Sequence, residues 1–590
     1  HYTGRPVAML KEYRTLLHLV KQYRGHYFAG VLCLVVTSGG QILIPQFVRQ
    51  GIDIVTQTGF SLSQLVRPLL TMVGIAVLIS VARYGWRYFI HGASRRIEAK
   101  LRSRLFSHLL TLSGSFYRER QSGDLMARAT NDMQAIRMAS GMALVAAIDG
   151  VFMTIAILWI LFQQNPRIAA LTILPLPLVT LLILSAGRIV SRLFKQVQEG
   201  FSDLSEEARE AIAGVRVIKA FVKESYFVRK FGETNREYQR RNLAYVRLWG
   251  LFFPLVIFLS GLTTLLLLRF GGAAVVRGTL TPGEFVATMS YLEMLIWPML
   301  GVGFTVNMIA RGAASLKRIN EILDVQPEII PVVDPPVAVG RTHSHTLEAR
   351  NLTYRYPGME VDALSGVSFH LEPGRSLGIL GTTGSGKSTL LWLLPRLLDP
   401  PEGTLFLNGK DIRTLDLAEL RSVFGIVAQE TFLFSATISE NIAYAAPNAT
   451  EERIREMAEI STISRDLDLF PQGIDTQVGE RGVSLSGGQK QRIDISRVLA
   501  TDPEILLFDD ALSAVDTESE EIILRRLEEQ RKDKTNIVVS HRVSTLQFAD
   551  EILVLDQGHV IQQGSPESLA KAEGLYRRIA ALQSMERRVS

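Results

Sequence analysis

The chain has 590 residues, too many for one compact core, and 47% of them are hydrophobic with a mean hydropathy of +0.18, too apolar for an ordinary soluble enzyme. A single cysteine, Cys33, excludes an internal disulfide framework and a thiolate metal site. Lys and Arg number 64 against 58 acidic residues, a balance whose meaning depends on where the basic residues lie.

No methionine opens the sequence; Met9 reads as a native start, His1 to Ala8 as an expression remnant, and no cleavable signal is recognisable. A bilayer core of about 30 Å needs roughly 20 mostly apolar residues per helix. Six runs meet that length: approximately His26 to Phe47, Pro68 to Ile90, Met142 to Phe162, Ile168 to Ala186, Leu251 to Phe270 and Phe285 to Ile309. They predict a polytopic α-helical membrane domain over residues 9–330.

Basic residues crowd the loop after the second run (Arg95, Arg96, Lys100, Arg102, Arg104 and onward) and the loop after the fourth (Arg188, Arg192, Lys195 and onward). The loops after the first, third and fifth runs carry few, such as Arg67, Arg167 and Arg277. By the positive-inside rule the two basic loops and both chain ends are cytoplasmic. Topology therefore explains the positive balance, and no nucleic-acid partner is expected. The inner loops are written as helix: Leu204, Ala208, Ala211, Ile212, Val215 and Ile218 recur at helical spacing, with Glu206, Glu207, Arg209 and Glu210 on the other side. Segments near Arg120 to Asp124 and Val222 to Phe231 stand either as contacts for a soluble domain or as solvated connectors.

Pro335, Pro336 and Gly340 mark a linker over 331–345, followed by a nucleotide-binding domain over 346–590 that ends in a helix. A strand-like run, Ser376 to Leu380, leads into Gly381, Thr382, Thr383, Gly384, Ser385, Gly386, Lys387, Ser388 and Thr389, then into an apolar helical stretch. This is the P-loop pattern in its strand, loop, helix context. The glycines let backbone amides approach phosphate, Lys387 supplies charge to the β and γ phosphates of ATP, and the Ser388 hydroxyl joins the shell of Mg²⁺. Ile505 to Phe508 form a buried-strand run ending in Asp509, a second holder of Mg²⁺, and Asp510 stands where a general base addresses water. Asn536 to Val539 form another strand ending at Ser540 and His541, where an imidazole reaches the γ phosphate.

Leu485, Ser486, Gly487, Gly488 and Gln489 read LSGGQ, and with these motifs the chain resembles ATP-binding cassette proteins. Six spans followed by one cassette look like a half-transporter of the type IV exporter class, in the cytoplasmic membrane of a prokaryote. The resemblance implies that LSGGQ binds the γ phosphate of ATP held by the opposite cassette. It implies Tyr356 as the adenine-stacking aromatic and Gln429 as the Q-loop glutamine, a group of the catalytic site and of the Mg²⁺ shell. Thr476 to Gly482, reading TQVGERG, resembles the exporter X-loop, and Ser513 to Asp516 the D-loop.

One P-loop and one LSGGQ, without internal repeat, require two chains if the signature acts on an opposed nucleotide. The family's usual residue after the Walker B aspartate is glutamate; here it is Asp510. A carboxylate shorter by about 1.5 Å places water poorly, and a misplacement near 1 Å costs about a hundredfold in rate. A weak base beside an intact signature resembles one member of a heterodimeric exporter, with a homodimer of two slow sites as the alternative. The cargo implied is a hydrophobic or amphiphilic drug, lipid or peptide, and an ATP-gated channel remains the other class. Arg49, Arg83, Arg87, Asp149, Arg269, Glu284 and Glu293 are costly in lipid and belong at an interior, a partner or an interface. Phe252, Phe253, Phe258, Tyr291 and Trp297 fit either a cavity or an interfacial belt.

Overall fold

Apolar runs of membrane length have no water to satisfy their peptide groups, so they fold as helices. The computed structural model describes residues 14–57, 59, 61–330, 335–340, 344–479 and 483–589. The stretches Arg24–Val55, Leu62–Leu109, Ser122–Gln164, Glu224–Val276 and Pro282–Leu323 are long and apolar enough to cross a membrane. The fourth expected span falls on a shorter apolar stretch, Pro166–Leu182. There the helix Pro166–Ile173 gives way at Leu174 to Pro175–Ala213. Leu174 itself keeps helical angles (φ −48°, ψ −38°), but Pro175 and Pro177 supply no backbone N–H, so the hydrogen-bond ladder is interrupted there. The expected remnant, His1 to Ala8, and residues 331–334 and 341–343 of the expected linker lie outside the described residues.

The chain divides into two compact units, His1–Leu110 with Arg120–Val325 and Thr111–Glu119 with Gln326–Ser590. In the first, Pro175–Ala213 and Glu224–Leu266 run for 39 and 43 residues, roughly 60 Å each and about twice the hydrocarbon thickness. Their mutual seam departs from the expected apolar stripe. Phe194 meets Tyr245 and Phe201 meets Tyr238, with ring centroids 5.7 and 6.0 Å apart, and Glu207 meets Lys230 at 3.2 Å. Glu207, expected on the polar side, is buried, while Ile212 is 75% exposed. A seam between two long antiparallel helices follows a roughly seven-residue repeat, so the packed face drifts away from one read at straight-helix spacing.

Several polar residues among the spans find partners. Arg49 pairs with Glu284 at 2.8 Å, and Glu284 also closes a capping box with Thr281 at the start of the helix Pro282–Met294. Asp53 accepts from the Gly283 amide at 2.9 Å and the Thr281 hydroxyl at 3.1 Å. Asp149 accepts from the Ser38 hydroxyl. Tyr291 is fully buried and donates to the Ile42 carbonyl at 2.9 Å, so it belongs to helix packing, whereas Trp297 is 77% exposed.

Among the described residues of the second unit, ten strands form two sheets. The strands β1 (Leu347–Tyr354), β2 (Leu364–Leu371), β4 (Leu405–Leu407) and β5 (Lys410–Asp411) make an antiparallel sheet in the order β2-β1-β4-β5. The strands β3 (Ser376–Gly381), β6 (Phe424–Val427), β7 (Ile505–Asp509), β8 (Thr535–Val539), β9 (Glu551–Asp556) and β10 (His559–Gly564) make the other, ordered β10-β9-β3-β8-β7-β6. Its strands run parallel except for β10. All five residues of β7 are buried, the pattern of a parallel strand covered on both faces. Both sheets share one core, in which Leu352 and Leu364 join Ile379, Leu507 and Ile537 around Leu390 and Leu394.

Gly283 marks a close approach between two spans: a Cβ there would lie 2.3 Å from the Arg49 carbonyl oxygen and 2.5 Å from an Asp53 carboxylate oxygen. Gly283→Ala is expected to lower the thermal midpoint of the detergent-solubilised protein, by overpacking worth about 1–3 kcal/mol. Gly74→Ala, where nothing lies within 4 Å of the new methyl, should leave the midpoint unchanged. Equal midpoints for both variants would contradict the packing described.

Candidate active site

Four parallel strands bring the expected catalytic loops to one edge. In the register, Ile379 of β3 and Asp509 of β7 both pair with Val539 of β8. The P-loop after β3, Asp510 after β7 and His541 after β8 therefore leave the sheet within two residues of one level, at the carboxyl ends of the strands, where open α/β sheets bind ligands. Gln429 follows β6 on the same edge, two residues past Val427, and is exposed.

Gly384 and Gly386 have φ of +81° and +99°, backbone that a side chain would strain. A Cβ on Gly386 would also lie 2.4 Å from the Ala363 carbonyl. Thr382, Thr383 and Gly384 form the exposed tip of the loop, and Thr382 donates to Asp556 at 3.0 Å. Lys387 curls under it, donating to the carbonyls of Gly381 and Thr382 at 2.9 and 2.8 Å. Burial holds the Lys387 ammonium below its ordinary range, opposed by Asp510 and Asp509. Ser385 is buried and its hydroxyl has no hydrogen-bond partner among the described residues, a polar atom suited to a phosphate oxygen.

Ser388 donates to Asp509 at 2.9 Å. Asp509 is buried, which raises its pKa against the lowering effect of the Ser388 hydrogen bond. A hydroxyl and a buried carboxylate in contact are the hard oxygen donors that Mg²⁺ takes beside phosphate, so the residues present fit the ion.

Asp510 has φ of +49°; its N–H donates to the Val539 carbonyl at 3.0 Å, and its carbonyl accepts from the Ser513 N–H at 3.1 Å. Aspartate enters this left-handed region more readily than most residues, through its short polar side chain. The LSGGQ segment caps the 14-residue helix Gly487–Ala500. The Ser486 hydroxyl accepts from the Gln489 N–H at 3.2 Å, and the Gln489 side chain accepts from the Ser486 N–H at 3.0 Å. Its first-turn amides and dipole favour an anion. Gly488 fits closely, since a Cβ there would lie 2.7 Å from the Ala514 carbonyl. Of the expected X-loop, Glu480, Arg481 and Gly482 lie outside the described residues.

Tyr356 lies beside the P-loop helix, its hydroxyl 3.1 Å from that of Thr389. Three further residues make contacts that motif reading does not foresee. Gln491, two positions past the LSGGQ motif, accepts from the Ala514 N–H at 3.0 Å and donates to Ser513 at 3.3 Å, tying the D-loop to the signature helix. Arg118 lies in the Thr111–Glu119 segment, which groups with this unit, while the expected Arg120 to Asp124 and Val222 to Phe231 group with the membrane unit. Its guanidinium stands 4.9 Å from the centroid of the Tyr356 ring and 5.6 Å from that of Trp392, contacts worth about 0.5–2 kcal/mol each. Asp494 is buried beside Arg497, whose guanidinium donates to it at 2.8 Å.

A buried parallel sheet with a P-loop, Walker B carboxylates and a capped signature helix, joined to a bundle of membrane helices, defines a transporter driven by an ATP-binding cassette. A family described as ABC transporter transmembrane region matches residues 27–299, and one described as ABC transporter matches 364–513. Multidrug resistance-like ATP-binding protein MdlA of Escherichia coli (strain K12) is 37% identical over 95% of this chain and 94% of its own length. An ATP-dependent lipid A-core flippase of Desulfotalea psychrophila is 31% identical over 97% and 99%. A solved bacterial Atm1-family ABC exporter with ATP bound superimposes with a TM-score of 0.74 at 27% identity, over 95% of this chain and 99% of the other. The chain belongs to the ABC transporter family as an exporter half-transporter, a multi-pass membrane protein whose ATPase domain couples hydrolysis to transport.

Burial pushes the Asp494 carboxyl up to about 6, against the opposing pull of Arg497. Its folded pKa lies above the unfolded value, so this group's contribution to stability is full below about pH 4 and is lost as pH rises through about 6. D494N removes that dependence. Its thermal midpoint relative to the unsubstituted protein should rise between pH 4.5 and 7.5, by the equivalent of about 3 kcal/mol at most. A difference independent of pH would contradict the burial argument.

Proposed function

We propose that the chain is one subunit of a two-chain exporter that moves hydrophobic or amphiphilic compounds outward by alternating access, with a second, homologous half-transporter as its partner. Residues 9–330 form its transmembrane domain, 331–345 a linker and 346–590 its cassette, with both chain ends on the cytoplasmic side of a prokaryotic inner membrane. Multidrug and lipid-flippase relatives support export of apolar cargo. So does a membrane cavity of about 710 Å³ lined by Gln41, Met153, Met294 and Trp297, with Asp149 and Glu293 at its wall. Carboxylates are costly against lipid, which argues that this face borders a passage.

ATP is held by the loop Gly381 to Thr389 with its adenine on Tyr356, and Ser388, Asp509 and Gln429 would hold Mg²⁺, which screens the phosphate charge. Lys387 and His541 bear on the γ phosphate. Water attacks the γ phosphorus as the bond to ADP breaks, and Asp510 is the group placed to take its proton. The Ser486 to Gln489 segment serves the nucleotide on the opposite chain. ATP favours the closed pair because it contacts both chains only there, and hydrolysis removes that preference.

One observation carries the heterodimer: aspartate at 510 beside an intact LSGGQ segment. The site on this chain's P-loop is then the slow one, and its signature completes a faster site on the partner. In the purified native complex at saturating Mg-ATP, Asp510→Asn should change turnover by no more than about threefold, whereas removing the partner's general base should abolish it. A loss of about 10² or more on Asp510→Asn would replace this reading with two equivalent slow sites.

A further inference from the structure

His541 ends β8 in a loop whose backbone is held from a distant part of the sequence. The Gln583 side-chain amide on the helix Leu575–Val589 donates to the His541 carbonyl at 2.7 Å and accepts from the Val543 N–H at 2.9 Å. One side chain thus bridges the peptide groups on both sides of Arg542. Ahead of the histidine, the Ser540 N–H donates to the Ile379 carbonyl of β3 at 3.3 Å. On the opposite flank, Glu520 is buried and accepts from the Arg542 guanidinium and the Thr545 hydroxyl. Glu520 belongs to the helix Thr517–Gln530, which the D-loop residue Asp516 caps.

The Gln583 helix is fixed independently of this contact. Tyr576 is 2% exposed in a cluster with Leu380, Val543, Leu546 and Leu569, against which Ile579 and Ala580 also pack. Positions 576, 579, 580 and 583 share one helical face, so the buried face carries the amide to the loop. With the His541 carbonyl and the Ser540 amide both tied, the imidazole retains chiefly its two side-chain torsions.

We infer that Gln583 is a positioning residue for His541, making the C-terminal helix part of the nucleotide site. The inference rests on the reading of His541 as a γ-phosphate contact. An amide is required because it donates to one peptide and accepts from the next. Glutamate keeps the second bond and loses the first, placing a carboxylate against a carbonyl oxygen.

The test reads γ-phosphate recognition on this chain's own P-loop, which does not depend on how fast that site hydrolyses. In the assembled full-length complex, this chain is photolabelled with an azido-ATP and the label is competed with a non-hydrolysable ATP analogue or with ADP. Q583A should weaken the ATP analogue about three- to tenfold, the equivalent of one hydrogen bond, and leave ADP within about twofold. Q583E should behave as Q583A, and H541A should weaken the analogue at least as much. The double variant Q583A/H541A should be no weaker than H541A alone. Equal loss of the analogue and ADP, independent losses in the double variant, or wild-type behaviour of Q583E would each overturn the inference in favour of simple helix anchoring. If H541A weakens the analogue and Q583A does not, this inference alone fails. If H541A discriminates ATP from ADP as the unsubstituted protein does, the reading of His541 itself fails.

Discussion

The register of three neighbouring parallel strands governs the chemistry of the second unit. Val539 of β8 pairs with Ile379 on one side and Asp509 on the other, so β7 ends level with β8 and β3 runs two residues past it, to Gly381. A slip of one residue would turn every side chain of a strand to its other face and move Asp509 away from Ser388, the pair best fitted to Mg²⁺. The register is strongly specified because these strands are buried: Ile505, Leu507, Ile537 and Val539 all lie in the core between the two sheets. Apolar packing thus fixes the spacing of polar groups it does not touch.

The same logic extends outward through side-chain amides. Gln491 ties the signature helix to the D-loop, and Gln583 ties the C-terminal helix to the His541 loop. Each joins a helix to a loop, Gln583 through two backbone groups and Gln491 through the Ala514 N–H and the Ser513 hydroxyl, which positions a loop without adding charge near the phosphates. In the membrane unit, charge is instead neutralised locally, as in the contact of Arg49 with Glu284. An unpaired charge there would carry a large desolvation cost.

Much of the nucleotide site was legible in the sequence because glycine spacing, a buried apolar strand and a terminal carboxylate are local patterns with local causes. β3, β7 and β8 fall where their apolar runs predict, and Ser388 meets Asp509 as the motif implies. The contacts of Arg118 and Gln583 were not legible because their partners are set by tertiary packing; Gln491 follows the LSGGQ motif in sequence, but its tie to Ser513 and Ala514 is set in the same way. The seam of the long cytoplasmic helices was misread at Glu207 and Ile212 for a related reason: the buried face of a helix is chosen by the partner helix. The expected fourth span is broken at Leu174, ahead of Pro175 and Pro177, whose missing N–H groups a hydropathy average does not register.

The central claim is that this chain's signature helix completes a nucleotide site on another chain. Cryo-electron microscopy of the purified complex held with Mg-ATP and vanadate tests it most directly. The account predicts the amides at the start of the Gly487–Ala500 helix, with Ser486, within hydrogen-bonding distance of the trapped nucleotide on the second chain's P-loop. A trapped nucleotide held by the P-loop of one chain alone, with this helix end facing solvent, would contradict it.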